Sequence, residues 1–209
     1  MSMPVRIRGK YACFTRPAFK AERVTYEVPT PSACVGILNA IYVKPSEMYW
    51  KVKRIHVLNP IRTMRVTRNE QANVLNPKNV LSNIGTKKPI YTWKQVQKTS
   101  VILIDVDYII EPEFVLLENA KSSGKYNASW ERRLTKGMCF HQPYLGCREF
   151  SASFEPAYSI PKSSIEGTID FGNMFHSTNY QTREPFYYPA VMENGVIDVE
   201  ACEVFRYAA

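Results

Sequence analysis

Three histidines, five cysteines and a surplus of arginine and lysine bound the chemistry open to this 209-residue chain. Cys139, His141 and Cys147 lie close together and are of the types that bind zinc. Their spacing is not a paired CxxC and no fourth ligand stands nearby, so they read as core cysteines and no metal centre is expected. No Walker or Rossmann glycine pattern occurs, so no nucleotide cofactor is expected either. Scarce histidine also limits acid–base work. His56 alternates with Ile55 and Val57, which fits packing or an exposed strand position. His141, in Phe140-His141-Gln142-Pro143, and His176, in Met174-Phe175-His176-Ser177, sit in turns, where the simplest role for an imidazole is a bond to the backbone.

Cations interleaved with aromatic rings are more informative. Lys and Arg number 27 against 19 Asp and Glu, a net charge of +8, which favours a polyanionic partner. Arg16, Lys20, Arg23, Arg62, Arg65, Arg68, Lys121, Lys125, Arg132 and Arg133 all fall in or beside expected loops and element ends. Tyr11, Phe14, Tyr42 and Tyr126 lie near them. Cations grip phosphates and aromatic faces stack on splayed bases, so the pattern points to RNA or single-stranded DNA. The plainer alternative is a solvated basic surface over core aromatics.

The elements that must position these groups can be read along the chain. Val5, Ile7 and residues 11–14 form a first strand, with Gly9 as a bulge or bend. Thr30-Pro31 is a helix start, and Cys34, Ile37, Leu38 and Ile41 recur at helical spacing, giving a helix over 31–42. Met48, Trp50 and Val52 alternate with polar neighbours as a half-buried strand, and Ile55 and Val57 continue it in the opposite phase, which places a bulge near Arg54. Residues 69–89, rich in Asn, Lys and Pro, read as a long loop. Residues 99–110 are a β-branched strand. Asn127 is the expected cap of a second helix that runs to about Lys136 and is stopped by Gly137. Phe150, Ala152 and Phe154 continue as strand.

The order strand, helix, strand, strand, helix, strand predicts an α+β fold with a ferredoxin-like split βαβ domain over 1–155, the architecture of RNA-recognition modules. Residues 156–209 read as a small C-terminal antiparallel β-sheet appendage. The odd, scattered cysteines argue against a disulfide framework and for a reducing compartment. The N-terminus lacks a signal-peptide core, and no apolar run approaches the ~18 residues of a membrane span. Residues 101–110 are the strongest candidate, but they are short and broken by Asp105 and Asp107. A cytoplasmic protein without membrane contact is expected.

From Gly9-Lys10-Tyr11-Ala12-Cys13-Phe14-Thr15 onward the chain resembles a known family. The matching stretches are Val28-Pro29-Thr30-Pro31-Ser32-Ala33, Ala40-Ile41-Tyr42-Val43-Lys44-Pro45, Asn59-Pro60-Ile61, and Glu131-Arg132-Arg133-Leu134 with Gly137. They continue through Phe140-His141-Gln142-Pro143-Tyr144-Leu145-Gly146-Cys147-Arg148-Glu149-Phe150 and end at Ala190-Val191-Met192-Glu193-Asn194-Gly195. This ordered set resembles the Dvulg-subtype (type I-C) member of the fifth CRISPR-associated protein family, in the RAMP superfamily of ferredoxin-like RNA-binding proteins.

The resemblance implies an endoribonuclease that binds the hairpin of CRISPR repeat RNA and cuts at its base without a metal. Such a protein then keeps the handle of the mature guide RNA, beside the backbone and large subunits of an effector complex, and meets target DNA only indirectly. A non-catalytic RNA-binding scaffold in the same kind of complex is the other reading. The family's catalytic trio is Tyr, Lys and His. Tyr42 falls on the tyrosine and Lys125 on the lysine, while Tyr126 occupies the histidine position. The resemblance thus gives Lys125 the phosphate charge, Tyr42 the ribose hydroxyl and Tyr126 the leaving oxygen, with His141 as a second candidate for the acid–base part. Arg16, Lys20, Arg23, Arg62, Arg65, Arg68, Arg132, Arg133 and His141 are the expected RNA contacts. Free Tyr and Lys titrate near about 10 and 10.4, so neither is a ready base at neutral pH without a perturbing environment.

Overall fold

The computed structural model describes residues 2–19, 22–72, 76–86 and 95–206; Lys20 lies outside them. In chain order the elements are β1 (Val5–Ala12), β2 (Arg23–Val24), α1 (Pro31–Ile41), β3 (Met48–Val57), β4 (Thr63–Gln71) and α2 (Pro77–Asn83). After these come β5 (Gln95–Leu116), α3 (Ser123–Lys136), β6 (Ser153–Pro156), β7 (Thr168–Thr178), β8 (Pro185–Glu193) and β9 (Val196–Asp198). The fold is α+β and mostly sheet, with few helices.

All the strands join one sheet, in the order β6-β1-β5-β3-β9-β8-β7, with β2 and β4 also paired to β5. Every pairing is antiparallel except the short β2–β5 contact. The 22-residue β5 is the spine. One half pairs with β4 up to Leu103, and the other pairs with β3 from Tyr108. At the changeover Asp105 takes a positive φ of 51°, and its side chain receives Arg62 at 3.2 Å. Among the described residues no helix is long and apolar enough to cross a membrane.

Local chemistry explains the elements that matter for the site. Thr30 is extended, its hydroxyl accepts the Ala33 N–H, and Pro31 opens α1, whose face of Cys34, Ile37, Leu38 and Ile41 is buried. The alternation in β3 breaks at a register shift between Val52 and Arg54, as the sequence predicts. Gly137 ends α3 in the left-handed conformation. The sheet and α3 meet in an aromatic cluster. Trp50 and Trp130 lie 4.8 Å apart, and Phe114 touches both Trp50 and Tyr126. Each such ring contributes about 1.5–3 kcal/mol through burial, which holds α3 against the sheet.

Four expectations are corrected. Gly9 is no bulge: the β1–β5 register runs evenly past it, and the glycine is needed because a Cβ there would meet Leu145 Cδ1 at 2.3 Å. Helix α3 begins four residues before Asn127, because burying Tyr126 in the aromatic cluster requires the helix to include it. The expected loop over 69–89 is largely structured where described: residues 69–71 finish β4 and 77–83 form α2, capped by Asn76. The last strand before residue 156 begins only at Ser153; Ser151 forms a lone bridge with Tyr144.

Candidate active site

The end of a helix leaves backbone carbonyls without partners, and the way α1 resolves this builds the site. The Leu38 carbonyl accepts the Tyr42 N–H at 2.8 Å, and that of Ala40 accepts two N–H groups, from Phe140 and His141, each at 2.9 Å. Ile41's carbonyl receives Arg133 Nη1 at 3.2 Å, and Tyr42's receives the Trp50 indole at 2.6 Å. Tyr42 is thereby fixed as the extended cap of α1. The Arg133 guanidinium lies over its ring, 5.3 Å from the centroid, and also suits the negative end of the helix.

From Tyr42 the chain turns at Lys44, whose carbonyl accepts the N–H groups of Glu47 and Met48, each at 2.8 Å. Glu47 then meets α3. The Tyr126 hydroxyl donates a short hydrogen bond to the Glu47 carboxylate and accepts the Lys121 N–H at 2.8 Å. That bond from Tyr126 is the main reason Glu47 stays below the usual carboxylate range; the ammonium groups of Lys44, Lys125 and Lys121 add to the effect, and desolvation opposes it. The Tyr126 phenol is pushed up, first by its bond to Glu47, then by burial, with the Tyr42 phenol among its electrostatic neighbours. Glu47, five residues after Tyr42, thus reaches Tyr126, the residue next to Lys125. Lys125 is exposed in the first turn of α3, a turn without acidic residues. Lysines beside a helix N-terminus are suited to a phosphate. Tyr126 is only 1% exposed, so its hydroxyl faces the protein.

The other expected contacts divide between two places. Arg132, Arg133 and His141 belong to α3 and the segment after it, near Tyr42. Arg132 and His141 are exposed, and His141 packs on Phe140 with ring centroids 4.3 Å apart. His141, with Phe140, borders a groove of about 580 Å³ along α1, which Asn39, Val43 and Arg148 also line. Arg16, Arg23, Arg62, Arg65 and Arg68 lie around the N-terminal half of β5, which β2 and β4 flank on opposite edges. Most of these are already paired: Arg16 with Glu27, Arg62 with Asp105, and both Arg23 and Arg68 with Glu149. Arg65 is exposed and, among the described residues, has no ion pair.

One connecting segment bridges the two places. After Phe140 and His141 it passes Gly9 through Leu145, presses Gly146 against the Cys13 backbone and ends with Glu149 between Arg23 and Arg68. Cys147 donates toward the Cys13 carbonyl at 3.7 Å. Among the described residues no three His, Cys, Asp or Glu side chains group as a metal site. His56 is buried against Glu111 at 2.7 Å, and the ring of His176 meets the Ser177 hydroxyl at 2.9 Å rather than the backbone.

Sequence reasoning missed Glu47 and Glu149. Each stands in an otherwise basic neighbourhood and acquires its partners from 79 to 126 residues away, so no local spacing marks it.

The sheet thus holds lysines and phenols at one end of α3 and, around the N-terminal half of β5, arginines paired with carboxylates. The chain belongs to the Cas5d family: the family model described as CRISPR-associated protein (Cas_Cas5) matches residues 3–200. It is 38% identical over 210 residues to the CRISPR pre-crRNA endoribonuclease Cas5d of Mannheimia succiniciproducens, covering 93% of each chain. It is 44% identical over 174 residues to the protein of the same name from Thermus thermophilus, covering 82% of this chain and 71% of the relative. A crystal structure of a CRISPR-associated protein superimposes with a TM-score of 0.70 at 30% identity, covering 97% of this chain and 95% of the other. A functionally uncharacterized protein from Streptococcus mutans gives 0.67 at 28%, with 97% and 96% covered.

Proposed function

We propose that this chain is a metal-independent endoribonuclease that binds the hairpin of CRISPR repeat RNA and cuts the precursor at the hairpin base. It keeps the handle of the mature guide RNA as a subunit of a type I-C effector complex, with backbone and large subunits as neighbours and target DNA met indirectly. The relatives named as pre-crRNA endoribonucleases support the activity. The carrying observation is the hydrogen bond from Tyr126 to Glu47, which joins the turn after Tyr42 to the turn of α3 that bears Lys125.

In this reaction the ribose 2′-hydroxyl adjoining the scissile phosphate is the nucleophile. Its oxygen bonds to phosphorus, the bond to the 5′-oxygen breaks, and a 2′,3′-cyclic phosphate and a 5′-hydroxyl result. The 2′-hydroxyl loses a proton and the 5′-oxygen gains one. Lys125 neutralises charge on the phosphoryl oxygens, where a prepositioned cation is most effective. Tyr42 orients the ribose hydroxyl. Tyr126 holds the third position of the trio, and reaching the leaving oxygen would require its hydroxyl to turn from Glu47. A positioned acid or base is typically worth about 100- to 10,000-fold, so a site with tyrosine in place of histidine cuts slowly. A subunit that retains its product needs only one turnover.

The same reading extends to the architecture. The order β6-β1-β5-β3 supports a ferredoxin-like core over 1–155, since it is the order 4-1-3-2 of a split βαβ unit, and residues 156–209 supply the β7–β9 appendage. Such work belongs in the cytoplasm. The experiment is incubation of the purified chain with labelled repeat RNA in EDTA. Cutting at one site, lowered about 100-fold or more by Lys125→Ala, is expected. Binding without cutting would leave the scaffold reading.

A further inference from the structure

We infer that Glu47 is a positioning residue for the cleavage reaction: its carboxylate, bonded to the Tyr126 hydroxyl, ties the turn after Tyr42 to the first turn of α3 and so sets the separation of the Tyr42 phenol from the Lys125 ammonium. The inference rests on the endonuclease reading and names what assembles that site.

Glu47 is anchored in three directions. Its N–H closes the turn on Lys44, and its carbonyl accepts the Leu117 N–H at 2.9 Å, just past the end of β5. Its side chain reaches Tyr126, the residue next to Lys125. Tyr126 in turn cannot swing freely. Its ring packs on Phe114, 6.0 Å between centroids, and its hydroxyl sits between Glu47 and the Lys121 N–H. The turn bearing Tyr42 and the turn bearing Lys125 therefore meet through one hydrogen bond between side chains 79 residues apart.

Charge argues for this role over RNA binding. A carboxylate among Lys44, Lys121 and Lys125 repels phosphate, so a surface built only to bind RNA gains by losing it. Its presence there is accounted for by geometry: a site misplaced by about 1 Å can lose on the order of 100-fold in rate.

The two roles give opposite signatures. The full-length chain would be assayed with labelled repeat hairpin RNA in EDTA, with protein in excess, measuring the cutting rate and the Kd separately. For Glu47→Gln the rate is expected to fall about tenfold or more while RNA binding is unchanged or up to about threefold tighter. Tyr126→Phe, which keeps the ring packing, should fall by a similar factor, and the double variant should be no slower than the slower single one. Cutting by Glu47→Gln at the wild-type rate, additive losses in the double variant, or a fall in affinity that accounts for the slower rate would each overturn the inference. If Glu47→Gln shows no cooperative melting, Glu47→Asp, which keeps the charge but must draw the two turns together to keep the bond, decides by the same rate and Kd. Wild-type protein that binds but does not cut removes the endonuclease reading itself, and the inference with it.

Discussion

The Arg133 guanidinium lies 5.3 Å from the centre of the Tyr42 ring and donates to the carbonyl of Ile41, the residue before it. One side chain thus fixes both the backbone and the ring of the residue assigned to the ribose hydroxyl. Its neighbour Arg132 is exposed and, among the described residues, has no ion pair. Two adjacent arginines of one helix therefore do different work.

This difference is measurable. Arg132→Ala should weaken RNA binding and reduce the slope of log affinity against log salt by about 0.7–0.9, the loss of one phosphate contact. Arg133→Ala should change that slope less but lower the melting temperature by several degrees, at about 1–2 kcal/mol, and slow cutting. Arg133→Lys should not restore the rate, because an ammonium lacks the planar fork. Equal salt slopes for the two variants would contradict the division.

Glu149 accepts hydrogen bonds from both Arg23 and Arg68, and the Arg68 guanidinium also lies 5.9 Å from the Phe150 ring. The carboxylate cancels charge on the face that the arginines would offer to RNA. Glu149→Gln should tighten RNA binding at low salt by about threefold or more, less as salt rises and screening takes over. Filter binding at two salt concentrations checks it. Weaker binding would mean that Glu149 holds the arginines in a required geometry.

Cys147 carries a pH prediction. Its thiol is lowered from 9.0 to about 7, first by the neighbouring Cys13 side chain and then by Arg23 and Arg68, against the opposing effect of burial. Lowering a thiol's pKa populates the thiolate at lower pH. Alkylation of Cys147 by iodoacetamide should therefore rise with a midpoint near pH 7, not near 9. Glu149→Gln should move the midpoint lower still, because that carboxylate opposes the thiolate. Peptide mapping of alkylated cysteine across pH gives the midpoint.

Gly146 tests the connecting segment. It has φ +82°, and a Cβ there would lie 2.0 Å from the Cys13 carbonyl oxygen, a backbone atom with no room to move. Gly146→Ala should cost about 2–4 kcal/mol and slow RNA cutting by loosening His141 and Glu149. At Gly9 the obstacle is the flexible end of Leu145, so Gly9→Ala should cost less, about 1–2 kcal/mol. Thermal melts of the two variants would show whether the order holds.

Some of this molecule is written in short-range chemistry. Thr30-Pro31 opens α1, and the spacing of Cys34, Ile37, Leu38 and Ile41 gives its buried face. The phase change around Arg54 marks the β3 bulge, and Gly137 stops α3. Each depends on residues a few positions apart, so periodicity and capping rules suffice to read them. Strand β4 escaped because its alternate half-buried positions are Val66, Arg68 and Glu70, so no apolar alternation marks it; only pairing with β5 makes it a strand. The start of α3 escaped because burial of Tyr126 against Phe114, not a local cap, decides where the helix begins.

The site divides in the same way. Net charge and the interleaved arginines and tyrosines foretold a polyanion partner, and the family motifs singled out Tyr42 and Lys125. Tertiary structure alone chose which arginines remain unpaired, set Glu149 between two of them and joined Glu47 to Tyr126. These contacts link residues 79 to 126 positions apart, and such a pairing depends on sheet register and helix seating, to which neighbouring residue types carry no key.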